Sequence, residues 1–459
     1  MKKIYLSFII LLLLSNLELK SQIQIGNTDI DTTSIATGLD TPWEILWGPD
    51  DYIWFTERMG KVSRLNPETG EISLILDIQD KVHEQSEAGL LGMTHDPDFE
   101  SNNLVYLVYN YLDNGNIKER LVRYSYEGDQ LINEETLLGD IGGSGNHNGA
   151  RIAFGPDGKL YLTTGDAVNT SLSQDLESLN GKVLRLNPDG SIPDDNPYTD
   201  SYIWSIGHRN PQGLVFGPTG ILYSSEHGPS NDDEINIIEK GQNYGWPNVQ
   251  GFCDGVSEST FCNTYNVVEP LMAWTPTLAV AGIDYYGNVA IPDWEHSILM
   301  TNLKASRLVM MKLSEDGTSI VDDEEYFNGW WGRLRDVCVS PDGRVFIASS
   351  NRDGRGSIRS GDDRIIELRA ETATSTWNES TQSVIYPNPV SDGVLNLRNN
   401  WTSDQIIINI FDNSGRKLRG EKVNTTGNEI RIKMDYRPGI YFIEIVDGSR
   451  FERLRIIVY

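Results

Sequence analysis

Short apolar runs separated by turn residues fill most of the chain, and one arrangement of them recurs. A turn of the type x-Pro-Asp-Gly is followed by a β-like run, then by a second one. The pattern occurs as "WGPDDYIWFTERMGKVSRLNPETG", as "HDPDFESNNLVYLVYNY", and as "FGPDGKLYLTTGD" with "GKVLRLNPDG". It returns as "FGPTGILYSSEHG" with "DEINIIEKG", and as "VSPDGRVFIASSN" with "DRIIELRAE". A weaker copy is "IDYYGNVAIPDWEHSILMTNLKASRLVMMKLSEDG". Pro49, Pro97, Pro156, Pro218 and Pro341 mark the turns, and Gly287 marks the weak copy. A repeat of several short strands every roughly 50–70 residues is the signature of propeller blades. The count predicts a six-bladed β-propeller. A plain β-sandwich does not account for one repeated turn.

The ends of the chain read differently. "MKKIYLSFIILLLLSNLELKSQ" has a basic start and an apolar run too short to span a bilayer, which predicts a cleaved signal peptide over 1–21. The propeller is expected over 22–370. Residues 371–383 are polar and rich in Ser and Thr, as in a linker. Residues 384–459 carry a further set of strands, "IIINIFD", "NEIRIKM", "GIYFIEIVDG" and "RLRIIVY", and predict a small C-terminal β-sandwich.

Composition narrows the partners. With 38 Lys and Arg against 66 Asp and Glu, the formal net charge is −28, so no nucleic-acid partner is expected. Three cysteines do not make a disulfide scaffold, although Cys253 and Cys262 flank a short loop and could pair in an oxidising compartment. Cys338 lies in a strand-like run and reads as a buried thiol.

Candidate chemistry gathers at the ends of the strands, where equivalent loops of a propeller meet on one face. His95 and His296 read as structural turn residues. His147 instead sits in the Gly/Asn loop of "GGSGNHNGARIAFGPDG", with no apolar face to fill. Asp166 ends the next strand of that blade and could fix the tautomer of a histidine base, or simply cap a turn. Arg209 and Asn210, Lys304, and Arg333 with Arg335 are cations and an amide at other blade ends. Any one of them could be ordinary surface. Together, in so acidic a chain, they suggest a socket for a polyanion. In "SSEHGPSNDDEIN" the turn at Gly228-Pro229 presents carbonyl oxygens with little obstruction, and such oxygens suit Ca²⁺.

"GHRNPQGL", "SSEHGPSNDDEINIIEKGQNYGWPNVQG", "GKVLRLNPDGSIPDDNP" and "RLRDVCVSPDG" resemble the glucose/sorbosone dehydrogenase family, the soluble sugar dehydrogenases that use pyrroloquinoline quinone (PQQ). The resemblance runs from about Ile35 to Leu368 and implies a six-bladed propeller with PQQ and Ca²⁺ as cofactors. It implies that His147 is the general base toward the C1 hydroxyl of an aldose, with hydride passing to the quinone and a lactone as product. Asp166 would orient His147, while Arg209, Asn210, Lys304, Arg333 and Arg335 would hold PQQ. The carbonyls of Gly228 and Pro229 would hold the catalytic Ca²⁺, and Tyr244 (carbonyl) and Asp254 a structural one at a possible homodimer contact. Asp232, Asp233 and Glu234 would brace the loop or serve that second ion. Glu87 and Trp274 fall at substrate positions. Glu87 replaces the glutamine of the glucose enzymes, and the loop "AVNTS" after Asp166 also departs from them, so a broad aldose dehydrogenase fits better than a glucose-specific one. The electron acceptor is unspecified. Residues 384–459 resemble the C-terminal sorting domain of type IX secretion in "YPNPVSDGVLNL" and "IFDNSGRKL", implying a secreted or cell-surface protein. The competing readings are a non-catalytic propeller that binds carbohydrate or protein, and a calcium-dependent lactonase, which would want side-chain carboxylates around its ion.

Overall fold

The computed structural model describes residues 23–371 continuously and, beyond 383, the strands of a second unit with some of their neighbours. The leader and linker expectations lie almost wholly outside the described residues. Contacts separate two compact units between Glu371 and Thr372. Among the described residues no helix is long and apolar enough to cross a membrane.

The first unit holds six antiparallel sheets among its described residues. Their innermost strands are Pro42–Trp47, Leu90–His95, Gly149–Phe154, Pro211–Phe216, Val280–Tyr286 and Leu334–Val339. Each touches the next, and the last touches the first, which closes a ring. This is the six-bladed propeller expected from the repeat. The sixth blade is composite: Arg364–Ala370 pairs with Thr28–Thr37, so a strand from the start of the chain completes the sheet from its end.

The repeated turn joins the first and second strands of a blade, and its aspartate ties that turn to a neighbouring side chain. Asp50 Oδ1 accepts from Trp54 Nε1 at 2.9 Å, and Asp157 Oδ2 accepts from Tyr161 Oη at 2.9 Å. In the second blade a short helix, Phe99–Asn102, replaces the tight turn, and Asp96 takes the same part by accepting from Tyr106 Oη at 3.0 Å. Between blades, apolar strand faces pack into clusters such as Trp54, Leu107 and Val122.

All six innermost strands break register in the same place, just after they start. A bulge adds a residue to one strand and re-aims its side chain. Gln212 and Arg335 are such extra residues, lying between Pro211/Gly213 and Leu334/Asp336. Period-two alternation alone would place Arg333 and Arg335 on one face of a regular strand. Instead Arg333 precedes the strand and Arg335 occupies its bulge.

Among its described residues the second unit has two antiparallel sheets, one of three strands and one of four, sharing a core of Leu395, Ile408, Ile443 and Ile456. This is the β-sandwich its strands predict. Cys253 and Cys262 are disulfide-bonded across the helix Val256–Tyr265, and Cys338 is a buried free thiol.

Candidate active site

The loops that follow each second strand and precede each first strand share one face of the ring. They enclose a cavity of about 490 Å³, within the range of small-molecule and cofactor sites. His147, Glu87, Arg209, Gly228, Pro229, Lys304, Arg333 and Arg335 all line it. The sequence therefore assembles most of its candidates from five of the six blades at one place.

His147 and Asp166 form the central pair. His147 Nδ1 lies 2.8 Å from Asp166 Oδ1. The aspartate is fully buried and also accepts from Val168 N at 2.8 Å and Trp246 Nε1 at 2.9 Å. With the carboxylate on Nδ1, that nitrogen carries the proton, and Nε2 keeps a lone pair on a residue facing the cavity. His147 has φ 59°, an uncommon conformation for a residue with a Cβ. Its carbonyl accepts from Ala167 N at 3.1 Å and packs against Gly165, where a Cβ would come within 1.9 Å of that oxygen. The glycine of "TTGD" is thus required for His147 to sit where it does.

Charge in the cavity is reversed relative to the chain. Arg58, Arg209, Lys304, Arg333, Arg335 and Arg355 face Glu87, Asp233 and Asp353, six cations against three carboxylates. Arg335 is buried, its Nη1 donating to Gln212 Oε1 at 2.8 Å, and burial pushes its pKa down to about 10. Burial also lowers the pKa of Arg209, although Asp166 and Glu226 act against the shift. Arg209 Nε and Arg335 Nε are buried without a protein partner. Unpaired buried donors of this kind are costly, which fits a site built to receive acceptor atoms. Arg333 is paired with Asp353, its Nε donating at 2.7 Å, and Lys304 Nζ donates to Thr277 Oγ1 at 2.9 Å.

At Gly228-Pro229 the acidic cluster acts as a brace. Asp233 Oδ1 accepts from Gly228 N at 2.8 Å while Oδ2 accepts from Ala279 N at 2.6 Å. Glu234 accepts from Gly251 N at 2.8 Å, and burial pushes its pKa up to about 8. A Cβ at residue 228 would meet Asn231 O at 1.9 Å, so the turn tolerates only glycine there. Neither carbonyl of the Gly-Pro pair accepts a hydrogen bond among the described residues, which leaves both free for a cation. Among the described residues no three His, Cys, Asp or Glu side chains are grouped to hold a metal ion.

Other candidates lie apart. Asn210 is buried and outside the lining of the cavity; its Oδ1 accepts from Gly149 N at 3.1 Å, while its Nδ2 is a further buried donor without a protein partner. Trp274 ends the outer strand of the fourth blade and packs on an apolar cluster, while Thr277 and Ala279 of the loop that follows reach the cavity. Tyr244 stacks on His208, and Asp254 is exposed at the head of the helix Val256–Tyr265. His95 and His296 are structural, the first packed on Trp54 and the second held by Tyr285 Oη and Ser314 O. Sequence reasoning missed His227, Arg58, Asp353 and Arg355, all of which line the cavity. Their positions after second strands were the available signal.

The family described as Glucose / Sorbosone dehydrogenase matches residues 39–359. The chain belongs to this family. The family described as Secretion system C-terminal sorting domain matches 384–459. Quinoprotein glucose dehydrogenase B of Acinetobacter calcoaceticus is 33% identical, covering 73% of this chain and 88% of that protein. The aldose sugar dehydrogenase YliI of Escherichia coli K12 is 29% identical, covering 73% and 94%. The PQQ-bound aldose sugar dehydrogenase of Streptomyces coelicolor superposes with a TM-score of 0.66 at 35% identity, covering 74% of this chain and 98% of that one. Membership of the glucose/sorbosone dehydrogenase family thus spans the whole ring that forms the cavity.

Proposed function

We propose that this protein is a PQQ-dependent aldose dehydrogenase. The observation that carries the reading is the His147–Asp166 pair on the wall of a cavity with three excess positive charges. PQQ bears three carboxylates, so its charge matches that excess. Arg209, Lys304, Arg333 and Arg335 would hold it, with Ca²⁺ on the carbonyls of Gly228 and Pro229. When bound, the quinone supplies a two-electron acceptor, and the ion polarises it.

The chain's own contribution is proton transfer and orientation. His147 Nε2 would take the proton of the sugar's C1 hydroxyl while the C1 hydrogen departs with its electron pair, as hydride, to the two-electron acceptor, so C1 becomes a carbonyl and a cyclic aldose its lactone. The imidazolium that forms is stabilised by Asp166, whose position is fixed by Trp246 and by the Val168 N–H. Glu87 sits at the rim beside His147. Export by way of the leader and the C-terminal sorting unit would place the enzyme outside the cell.

Reconstitution tests the reading. Purified protein is titrated with PQQ in the presence of Ca²⁺, followed by absorbance, and then offered several aldoses with an electron-accepting dye. The expected result is one PQQ per chain and dye reduction with more than one aldose. Saturable PQQ binding without turnover of any sugar would favour a binding propeller, and no PQQ binding would refute the proposal.

A further inference from the structure

Arg355 is one of the six cations of the cavity but not one of those proposed to hold PQQ, and it spans the cavity mouth. It lies in the loop after the second strand of the sixth blade, and its guanidinium reaches the loops that enter the second and third blades. Nη1 is 3.1 Å from Glu87 Oε1, and Nη2 donates to Asn146 Oδ1 at 3.0 Å. Both acceptors bear directly on His147. Glu87 Oε2 accepts from the His147 backbone N–H at 3.0 Å, and Asn146 is the preceding residue. The two loops are further tied by Glu87 N donating to Gly145 O at 2.8 Å and Ser86 Oγ to Asn146 Oδ1 at 3.0 Å.

We propose that Arg355 is a positioning residue, clasping Glu87 and Asn146 so that the left-handed turn carrying His147 holds its ring toward the substrate. The proposal rests on His147 being the base. Four observations support it. His147 occupies a strained backbone region, and such a conformation persists only where its surroundings over-determine it. Both oxygens of Glu87 are engaged, one by the base loop and one by Arg355, so the carboxylate works as a link between them. Burial alone would raise the Glu87 pKa, but His227, the His147 N–H and Arg355 outweigh it and keep the group anionic. The planar fork of arginine suits two acceptors in different loops, whereas lysine offers a single ammonium. The Arg355 backbone is itself anchored, its N–H donating to Asp353 Oδ1 at 2.9 Å, and Asp353 pairs with Arg333.

The test compares Arg355→Gln, Glu87→Gln, the double variant and Arg355→Lys, each checked for an unchanged thermal midpoint. Misplacing a general base by a fraction of an ångström should lower kcat by about tenfold or more, with KM and PQQ affinity within about twofold. The double variant should be no worse than the poorer single one, and lysine should restore part of the loss. In the cofactor-free protein, amide exchange over residues 143–149 should quicken in Arg355→Gln. A raised KM with unchanged kcat would make Arg355 a substrate contact and overturn the proposal. Additive losses, or unchanged kcat and exchange, would also overturn it. His147→Ala separates the two readings. If it turns over normally, the base assignment fails and the clasp is judged on exchange alone. If it is inactive while Arg355→Gln is unaffected, the clasp fails and the base stands.

Discussion

Asp166→Asn probes the centre of the proposed chemistry with almost no change in volume. The carboxylate accepts three N–H groups, two on Oδ1 (His147 Nδ1 and Val168 N) and one on Oδ2 (Trp246 Nε1). An amide has one oxygen, so one side must face its NH₂. With the oxygen toward His147, the Trp246 donor loses its acceptor, and a buried unsatisfied donor costs about 1–3 kcal/mol. With the oxygen toward Trp246, the NH₂ forces His147 into the other tautomer and moves its proton to Nε2, where the base needs a lone pair. The first arrangement also loses the anion that stabilises the imidazolium, a charge-assisted bond worth roughly 1.5–3 kcal/mol, or about 10–100-fold in rate. The second removes the base altogether. The variant is therefore expected to lose at least about tenfold in kcat, measured on PQQ-loaded enzyme with saturating aldose and dye. PQQ affinity should be retained. A variant with kcat within twofold of wild type would show that the His147–Asp166 contact is not part of the chemistry.

Two further outcomes follow from groups away from the site. Burial raises the pKa of Asp284 to about 7, even though Tyr285 N and Val339 N donate to it. Its folded pKa lies above its unfolded one, so the folded form binds more protons between about pH 4 and 7, and stability falls as pH rises through that window. Thermal midpoints across that range should fall less steeply in Asp284→Asn, and an unchanged slope would exclude the residue as its source. The helix Val256–Tyr265 buries none of its own residues, and the Cys253–Cys262 disulfide ties it covalently to the segment before it. Cys253→Ser/Cys262→Ser should destabilise this segment by up to about 3 kcal/mol and speed its proteolysis, while kcat stays within twofold. Equal proteolysis of both forms would show that the helix holds without the bond.

Much of the ring was legible because the blades repeat one physical solution, a Pro or Gly turn followed by apolar strands, with an aspartate in the turn of four of them. The candidates that converged did so because the repeat, once aligned, says which loops share a face. What stayed hidden depended on details finer than the repeat. Arg355 and His227 have no distinctive spacing, and their importance comes from partners in other blades. The bulges that turn Gln212 and Arg335 toward the channel leave no mark in an apolar alternation. Trp274 carries the right residue type, but the chain turns so that Thr277 and Ala279 reach the cavity. Glu87 lines the cavity, with its oxygens committed to protein partners.

The composite sixth blade constrains when this enzyme can come into being. Its sheet needs Thr28–Thr37 beside Arg364–Ala370, a pairing across most of the propeller sequence. Loop-closure entropy makes so distant a pairing a late event in folding. Arg333, Arg335 and Arg355 all belong to that blade or the loops at its ends. A nascent chain therefore carries its histidine before the cations of the sixth blade are in place. Assembly of the site waits on the strand Arg364–Ala370, the last to join the ring.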